Sequence, residues 1–163
     1  MGENKTTEAG NSRDYGQIAE ENFLKGYNCT QAVVLAFSDL HGMEEKTAAK
    51  LSSSFGGGMG RLREVCGAVS GMFLVAGMLY GYDDPKDYQG KKEHYKRIQQ
   101  LAQAFEEQNG SIVCRELLRL EQKKDAPAPK LRTDDYYKKR PCPKLVRMAA
   151  EFMAQYIKDH SLE

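Results

Sequence analysis

Apolar residues recur at helical spacing along most of this chain. In the segment 29–40 they fall at i, i+3, i+4, i+7, i+8 and i+11, and a glycine follows: Cys29, Ala32, Val33, Ala36, Phe37, Leu40 and then Gly42. This period predicts an amphipathic helix that ends near Gly42. Similar patterns predict helices in 15–25, 44–54, 91–108, 111–120 and from 142 onward, and no run has the period of a strand. We therefore predict an all-α, single-domain bundle of five to seven helices.

The segment 65–82 differs from the others because it contains no charged residue. Its length just reaches that of a membrane span, and two GxxxG pairs, Gly67–Gly71 and Gly77–Gly81, are typical of packed membrane helices. The amphipathic helices around it nevertheless need an apolar partner, so we predict that 65–82 is the central helix of the bundle. The four glycines share one face, which predicts close approach of another backbone or of a cofactor.

Two polar stretches flank or interrupt the predicted domain, which spans 15–160. Residues 1–14 (MGENKTTEAGNSRD) have no apolar core of the kind that an export signal needs, so we predict a disordered tail and a cytoplasmic protein. Residues 121–140 are polar, charged and contain prolines. They are predicted to form a long surface loop.

The composition of the 163 residues narrows the classes of partner. The chain is 40% hydrophobic and 29% charged, with a net charge of +1, so it lacks the basic surplus typical of nucleic-acid binding. It has four cysteines. In a reducing compartment these point to metal binding or redox chemistry rather than to a disulfide scaffold.

The positions of the cysteines in the predicted helices are more informative than their spacing. They are far apart in sequence and form no CxxC pair, which excludes the usual zinc-ribbon, thioredoxin and ferredoxin spacings. Asn28 is a favourable N-cap, which makes Cys29 the first residue of its helix. Cys66 follows a glycine-rich loop and opens the apolar helix.

The remaining two cysteines also lie near predicted helix starts. Ser111 is a favourable N-cap, which would make Cys114 the third residue of its helix. Pro143 is favoured at a first helical position, which would make Cys142 the cap itself.

All four cysteines are thus predicted in, or just before, a first helical turn, where the helix dipole and free N–H groups favour thiolate over thiol. A single cysteine in this position could simply be a small buried side chain. Four at matching positions favour one shared site that holds an iron–sulfur cluster or a zinc ion, or that forms a redox-active disulfide. The candidate redox thiols and metal ligands are Cys29, Cys66, Cys114 and Cys142.

The loop FGGGMGR, residues 55–61, is the second candidate element. It lacks the GK[ST] of a phosphate-binding P-loop and follows no predicted strand, which argues against nucleotide binding. It could bind a small anion at its N–H groups with help from Arg61 or Arg63, or it could be a plain turn. Together with the small face of the next helix, the candidate cofactor-binding residues are Gly56, Gly57, Gly58, Gly60, Arg61, Gly67 and Gly71.

Several motifs together resemble one family. YNC at 27–29, FGGGMGR at 55–61 and CGAVSG at 66–71, followed by lone Cys114 and Cys142, resemble the C_GCAxxG_C_C family of redox-active proteins. The resemblance implies a redox role. In one version of this role, the cysteines hold a prosthetic group. It also implies a protein partner associated with an oxidoreductase or a transporter.

We therefore predict a redox or electron-transfer protein, a component of an oxidoreductase system, whose four cysteines share one site. The alternatives are a structural zinc-binding domain and a helical protein-interaction module without catalysis. No nucleic acid and no membrane span are expected. The oligomeric state is left open, a homodimer included.

Overall fold

The regular structure of the protein is helical. The computed structural model describes residues 13–121 and 123–162, and its helices are α1 (Tyr15–Leu24), α2 (Cys29–Ala36), α3 (Ser38–His41), α4 (Glu45–Ser53), α5 (Gly56–Met59), α6 (Gly67–Tyr80), α7 (Tyr88–Asn109), α8 (Cys114–Leu117), α9 (Asp134–Lys139) and α10 (Cys142–Asp159). The one strand-like pairing in these residues is an antiparallel bridge between Val65 and Val113. The all-α prediction is confirmed. Residues 1–12 of the predicted tail lie outside the described residues.

The first two helices begin where local sequence signals predict. Asp14 caps α1 by accepting a hydrogen bond from the Gln17 N–H at 3.0 Å. Asn28 and Gln31 form a complete capping box at the start of α2. The predicted helix over 29–40 is broken at Phe37, whose backbone leaves the helical region (φ −102°, ψ 18°), so that α2 and α3 are separate. Caps of this kind fix where Cys29 lies.

Helix α6 is the apolar centre of the bundle and packs against α2, α7 and α10. Its glycine face is in close contact only in the first two turns. A Cβ on Gly71 would lie 2.8 Å from the Cβ of Val33 and 3.0 Å from the Thr30 carbonyl, whereas one on Gly77 would meet nothing within 4 Å. The predicted close approach is therefore right for the N-terminal half of α6, which meets α2, and wrong for the C-terminal half. None of the helices in the described residues is long and apolar enough to cross a bilayer.

The hydrophobic core joins helices that are distant in sequence. Its largest fully buried side chains come from α1, α6, α7, α10 and the α2–α3 junction: Phe23, Met72, Phe105, Met153 and Phe37. Burying each such side chain stabilises the fold by about 1.5–3 kcal/mol. This core holds the N-terminal ends of α2, α6 and α10 in fixed relative positions.

The helix predicted over 111–120 is only one turn long. Val113 is extended (φ −94°, ψ 125°) because it pairs with Val65, and α8 therefore begins at Cys114. The Ser111 hydroxyl accepts a bond from the Val113 N–H at 2.9 Å instead of capping a helix. Ser111 was predicted as the N-cap, and this prediction is wrong because the pairing with residues 64–66 takes precedence.

The segment 121–140, predicted to be a loop, contains a helix. Thr133 caps α9 by accepting a bond from the Tyr136 N–H at 3.3 Å. Two aspartates in the first turn and two lysines in the last turn of this helix complement its dipole. These local signals could have predicted α9. The segment was predicted to be a loop because, as a whole, it is polar, charged and contains prolines.

Candidate functional site

All four cysteines line one cavity of about 210 Å³. Among the predicted cofactor-binding residues, Gly56, Gly57, Arg61 and Gly67 also line it. Gly58, Gly60 and Gly71 are not among its described lining residues. The structure therefore brings together cysteines that are up to 113 residues apart in sequence.

Each cysteine lies at the start of a helix. Cys29 is the first residue of α2, and Cys66 is the residue before α6. Cys114 and Cys142 are the first residues of α8 and α10, rather than the third residue and the cap that we predicted. In α10 the cap is Pro141, since Pro143 occupies the second helical position. The prediction that every cysteine belongs to a first helical turn or its cap is right, although the register differs for two of them.

The isolated bridge holds Cys66 beside Cys114. The Cys66 N–H donates to the Ile112 carbonyl at 2.7 Å, and the Cys114 N–H donates to the Glu64 carbonyl at 2.6 Å. Both cysteines are buried, with 6% and 7% of their surface exposed. These two backbone bonds fix the entry into α6 and the entry into α8 against each other.

Three glycines make room for cysteines or for the cap of a cysteine-bearing helix. A Cβ on Gly67 would overlap the sulfur of Cys29, and a Cβ on Gly58 would lie 2.6 Å from the Cβ of Cys114. A Cβ on Gly56 would overlap the side chain of Asn28, which caps α2. Gly58 thus leaves room for the side chain of Cys114, even though it does not line the cavity.

The glycine loop has an unusual backbone. Positive φ values follow one another from residue 57 to 61 and recur at 63: Gly57 71°, Gly58 69°, Met59 69°, Gly60 64°, Arg61 66° and Arg63 59°. Left-handed backbone costs a non-glycine residue about 1–2 kcal/mol. The Glu64 N–H closes the loop by donating to the Gly58 carbonyl at 3.0 Å. Strain of this kind is retained where the surrounding structure holds it. Here the strained backbone places Arg63 and Cys66 at the cavity.

Burial decides the charge state of three cysteines in the metal-free protein. It raises the pKa of Cys29, that of Cys66, and that of Cys142 to about 12. Neighbouring cysteines raise these pKa values further by charge repulsion, while the Gly57 N–H lowers that of Cys29. Our prediction that helix N-termini would make thiolate the favoured form is wrong for these three, because desolvation outweighs the N–H groups.

Arg63 is the side chain in closest polar contact with a cysteine. Its Nη1 donates to the sulfur of Cys114 at 3.5 Å, and its Nη2 lies 2.7 Å from a carboxylate oxygen of Asp125. Burial would lower the pKa of Arg63, yet its bonds to Cys114 and Asp125 raise it overall. Arg61 also pairs with Asp125, at 3.5 Å. A fixed cation therefore stands beside one of the four sulfurs.

One whole wall of the cavity was not predicted from the sequence. The segment predicted as a surface loop contributes Pro129, Lys130, Arg132, Tyr136 and Arg140 to the lining. Asp125 anchors this segment by donating its N–H to the Arg61 carbonyl at 2.9 Å, in addition to its ion pairs. A sequence signal exists, since two tyrosines and then three basic residues come shortly before Cys142.

The arrangement of donor side chains distinguishes kinds of metal site. Within the described residues, no three His, Cys, Asp or Glu side chains are grouped closely enough to hold one metal ion. A single zinc ion needs all its thiolates within about 2.3 Å of one point. In the described residues, four cysteines therefore line one cavity without forming a close three-ligand group.

Comparison with known proteins places the chain in a family. A family model described as "Putative redox-active protein (C_GCAxxG_C_C)" matches residues 27–156. No curated protein and no solved structure matches the chain. The matched stretch includes all four cysteines, the glycine loop and most of the cavity wall. The chain therefore belongs to the C_GCAxxG_C_C family.

Proposed function

We propose that this protein transfers electrons and that its four cysteines hold an iron–sulfur cluster in the cavity between them. The observation that carries the proposal is the convergence of Cys29, Cys66, Cys114 and Cys142, from four separate helix starts, on one space. Four cysteine thiolates are the standard ligands of such clusters. When bound, the cluster would supply reversible one-electron exchange.

The size of the cavity supports a group larger than one ion. Its volume is about 210 Å³, whereas a space that holds one water needs about 10–15 Å³. All four cysteines line this space, and among the described residues no three of them are grouped closely enough to hold one metal ion. A cluster of several atoms uses that room, and a lone zinc ion does not.

The surrounding groups suit a site that must hold negative charge. The N–H of Gly57 is directed at the sulfur of Cys29, and those of Ala68 and Val69 are directed at the sulfur of Cys66. The Arg63 guanidinium contacts the sulfur of Cys114. Hydrogen bonds and charges at the sulfurs set the reduction potential of a cluster. These residues would stabilise thiolates once metal binding has removed their protons.

Apolar side chains complete the wall and limit access of water. Phe23, Leu117 and Leu145 also line the cavity. A drier site strengthens each charge–sulfur interaction and slows attack on the bound sulfurs. Cys66 and Cys114 lie on the buried side, and Cys29 and Cys142 are half-buried.

Purification without oxygen tests the proposal directly. We expect iron, acid-labile sulfide and a broad visible absorbance that bleaches on reduction. Each of the four Cys→Ser variants should lose most of the iron, because the chain has no spare cysteine. Val146→Ala is the matched control, since Val146 is fully buried in α10 and does not line the cavity. It should lower stability and leave the iron content unchanged.

Three other results would replace the proposal. Colourless protein with zinc would favour the structural zinc domain. Metal-free protein whose thiol count changes reversibly with a mild oxidant would favour a redox dithiol, in which two thiols give two electrons and two protons to the oxidant as the S–S bond forms. Four inert thiols without metal would leave a helical interaction module.

The proposed cellular setting follows from the same thiols. Cysteines that serve as cluster ligands need a reducing compartment during assembly, so we place the protein in the cytoplasm. An oxidoreductase or a transporter-associated protein is the proposed redox partner. Co-purification from cell extract under anaerobic conditions, followed by electron transfer between the isolated pair, tests both points.

A further inference from the structure

The wall that segment 123–140 adds to the cavity is strongly cationic. Lys130, Arg132 and Arg140 line the cavity there, together with Arg61 and Arg63 from the glycine loop. No Asp or Glu is among the described lining residues. Asp125 pairs with the two loop arginines, and among the described residues no ion pair involves the other three cations. We call Lys130, Arg132 and Arg140 the cationic entrance.

Two of the three cations of the entrance, Arg132 and Arg140, contact carbonyls or aromatic rings, which do not neutralise them. Arg132 donates to the carbonyls of Phe23 and Tyr27, at 2.5 and 2.9 Å, and its guanidinium lies 4.0 Å from the centre of the Phe23 ring. Arg140 lies 5.6 Å from the centre of the Tyr136 ring. Carbonyls and aromatic rings orient a guanidinium and leave its positive charge in place.

The entrance faces solvent, unlike the loop arginine that touches a cysteine. Lys130 is exposed and Arg132 and Arg140 are partly exposed, whereas Arg63 is 4% exposed. Arg63, the inner cation, is thus already paired with Cys114 and Asp125. Both Nη atoms of Arg132 already donate to carbonyls. Among the outer cations, Lys130 and Arg140 are therefore the ones best placed to meet a ligand that comes from solution.

We infer that the cavity admits a small anion and that the cationic entrance binds its carboxylate or phosphate oxygens next to the cysteines. Fixed like charges on one wall repel each other, and an anion between them relieves this repulsion. Planar guanidinium groups suit both carboxylate and phosphate. The role of such an anion as a reactant of the cysteines rests on the proposed redox function, but its binding does not.

Two thiol reagents of similar size that differ in charge test the entrance. Iodoacetate carries a carboxylate and iodoacetamide is neutral, and with both the sulfur displaces iodide to form an S–C bond. The ratio of their rates at one cysteine is independent of that thiol's protonation, because the same thiolate reacts with both. Cys29 and Cys142 are half-buried and report from within the cavity.

We expect the iodoacetate-to-iodoacetamide ratio at these two cysteines to be about fivefold or more higher in the folded, reduced, metal-free protein than in urea. The double variant Lys130→Gln with Arg140→Gln should lower that ratio about threefold or more. The matched control is Lys123→Gln with Lys138→Gln, which removes two exposed charges from the same segment away from the cavity. It should leave the ratio within about 1.5-fold of the wild type, since screening weakens distant charges.

Protection by added anions identifies the preferred chemistry. Citrate and pyrophosphate, each at up to about 10 mM, a weak-binding range, should slow the reaction of both reagents in the wild type and not in the Lys130/Arg140 variant. Stronger protection by citrate assigns the entrance to carboxylates, and stronger protection by pyrophosphate assigns it to phosphates. Equal ratios in all three proteins, or no protection by either anion, would overturn the inference. Iron content is a separate measurement, so failure of the cluster proposal would leave this result intact.

Discussion

The guanidinium of Arg63 touches the sulfur of Cys114, with an Nη1–Sγ distance of 3.5 Å, in a part of the protein where Arg63 is 4% exposed. The same guanidinium pairs with Asp125, 62 residues away. One side chain therefore connects the cysteine cavity with the segment that forms its outer wall. The state of the sulfur and the position of the wall depend on a shared cation.

Replacing Arg63 with methionine should destabilise the protein by about 1–3 kcal/mol, because Asp125 loses its shortest ion pair and Cys114 loses its donor. The free energy of unfolding in urea, with all thiols reduced, measures this loss. Amide hydrogen exchange should also quicken in α9, since the wall loses an anchor. Asp125→Asn should cost less, because the guanidinium keeps its contact with the sulfur.

Arg147→Met is the control for loss of an ion pair as such. Arg147 pairs with Glu20 at a partly exposed position, where a pair is worth about 0–1 kcal/mol. A double-mutant cycle of Arg63→Met and Asp125→Asn isolates their coupling. If Arg63→Met costs no more than Arg147→Met, or if the coupling vanishes, the anchoring role of Arg63 is refuted.

Local signals in the sequence were sufficient to predict much of the site. The capping box at Asn28, the glycines after Ser54 and the proline after Cys142 are all short-range features, and they place three of the four cysteines near a helix start. The uncharged run 65–82 predicts the apolar α6, and the glycines on one face of it predict close approach of another backbone or of a cofactor. These parts of the fold depend on neighbours within one or two turns.

Long-range contacts account for what the sequence analysis missed. Arg132 is bound to the carbonyl of Phe23, 109 residues away, and this contact turns a polar segment into a cavity wall. The charge state of Cys142 was also mispredicted, because the helix N-terminus is a local feature whereas burial arises from the whole bundle. Val113 is extended because it pairs with Val65, and its own propensity does not decide this.

Alanine at Gly67 should disturb Cys29 directly. The added methyl group would overlap the Cys29 sulfur and lie 2.8 Å from the Thr30 hydroxyl, so we expect a loss of about 1–3 kcal/mol in the free energy of unfolding. Gly77→Ala lies in the same helix and would meet nothing within 4 Å. It should stabilise the protein by up to about 1 kcal/mol, the helix propensity of alanine over glycine.

Urea unfolding compares the two α6 variants, and anaerobic iron content gives a second readout. Gly67→Ala should hold less iron than the wild type, and Gly77→Ala should hold the same amount. Equal stability changes in the two variants would contradict the close contact between Gly67 and Cys29. Equal iron contents with unequal stabilities would show that Cys29 can move without losing its role.

Alanine at Gly58 combines backbone strain with crowding. Gly58 has φ 69°, and a Cβ there would lie 2.6 Å from the Cys114 Cβ and 2.8 Å from the Arg63 Cα. Gly42 has nearly the same φ, 67°, with nothing within 4 Å of a Cβ. We expect Gly58→Ala to cost about 1–3 kcal/mol more than Gly42→Ala, the usual cost of overpacking. Chemical denaturation of both variants, with the cavity thiols reduced, measures the difference. Identical losses would mean that strain alone is responsible and that the loop does not press against Cys114.

Stability of the reduced, metal-free protein should fall at alkaline pH because of Cys142. Burial raises the pKa of Cys142 from 9.0 to about 12, so between these values the folded protein keeps a proton that the unfolded chain has lost. The stabilising contribution is therefore complete below about pH 9 and is lost as the pH rises toward 12, at no more than about 1.4 kcal/mol per pH unit for one proton. Urea unfolding at several pH values between 8 and about 10.5 measures the slope in this window. Cys142→Ser cannot titrate there and should flatten the slope, whatever its effect on stability at pH 8.

Tyr15→Phe is the control, since Tyr15 also has a pKa of about 12 but lies against Asp39, where its hydroxyl donates to the carboxylate. Tyr15→Phe should remove a different part of the dependence of the unfolding free energy on pH, so the effects of the two substitutions should add. If Cys142→Ser leaves the slope unchanged, the Cys142 thiol ionises in the folded protein as readily as in the unfolded chain.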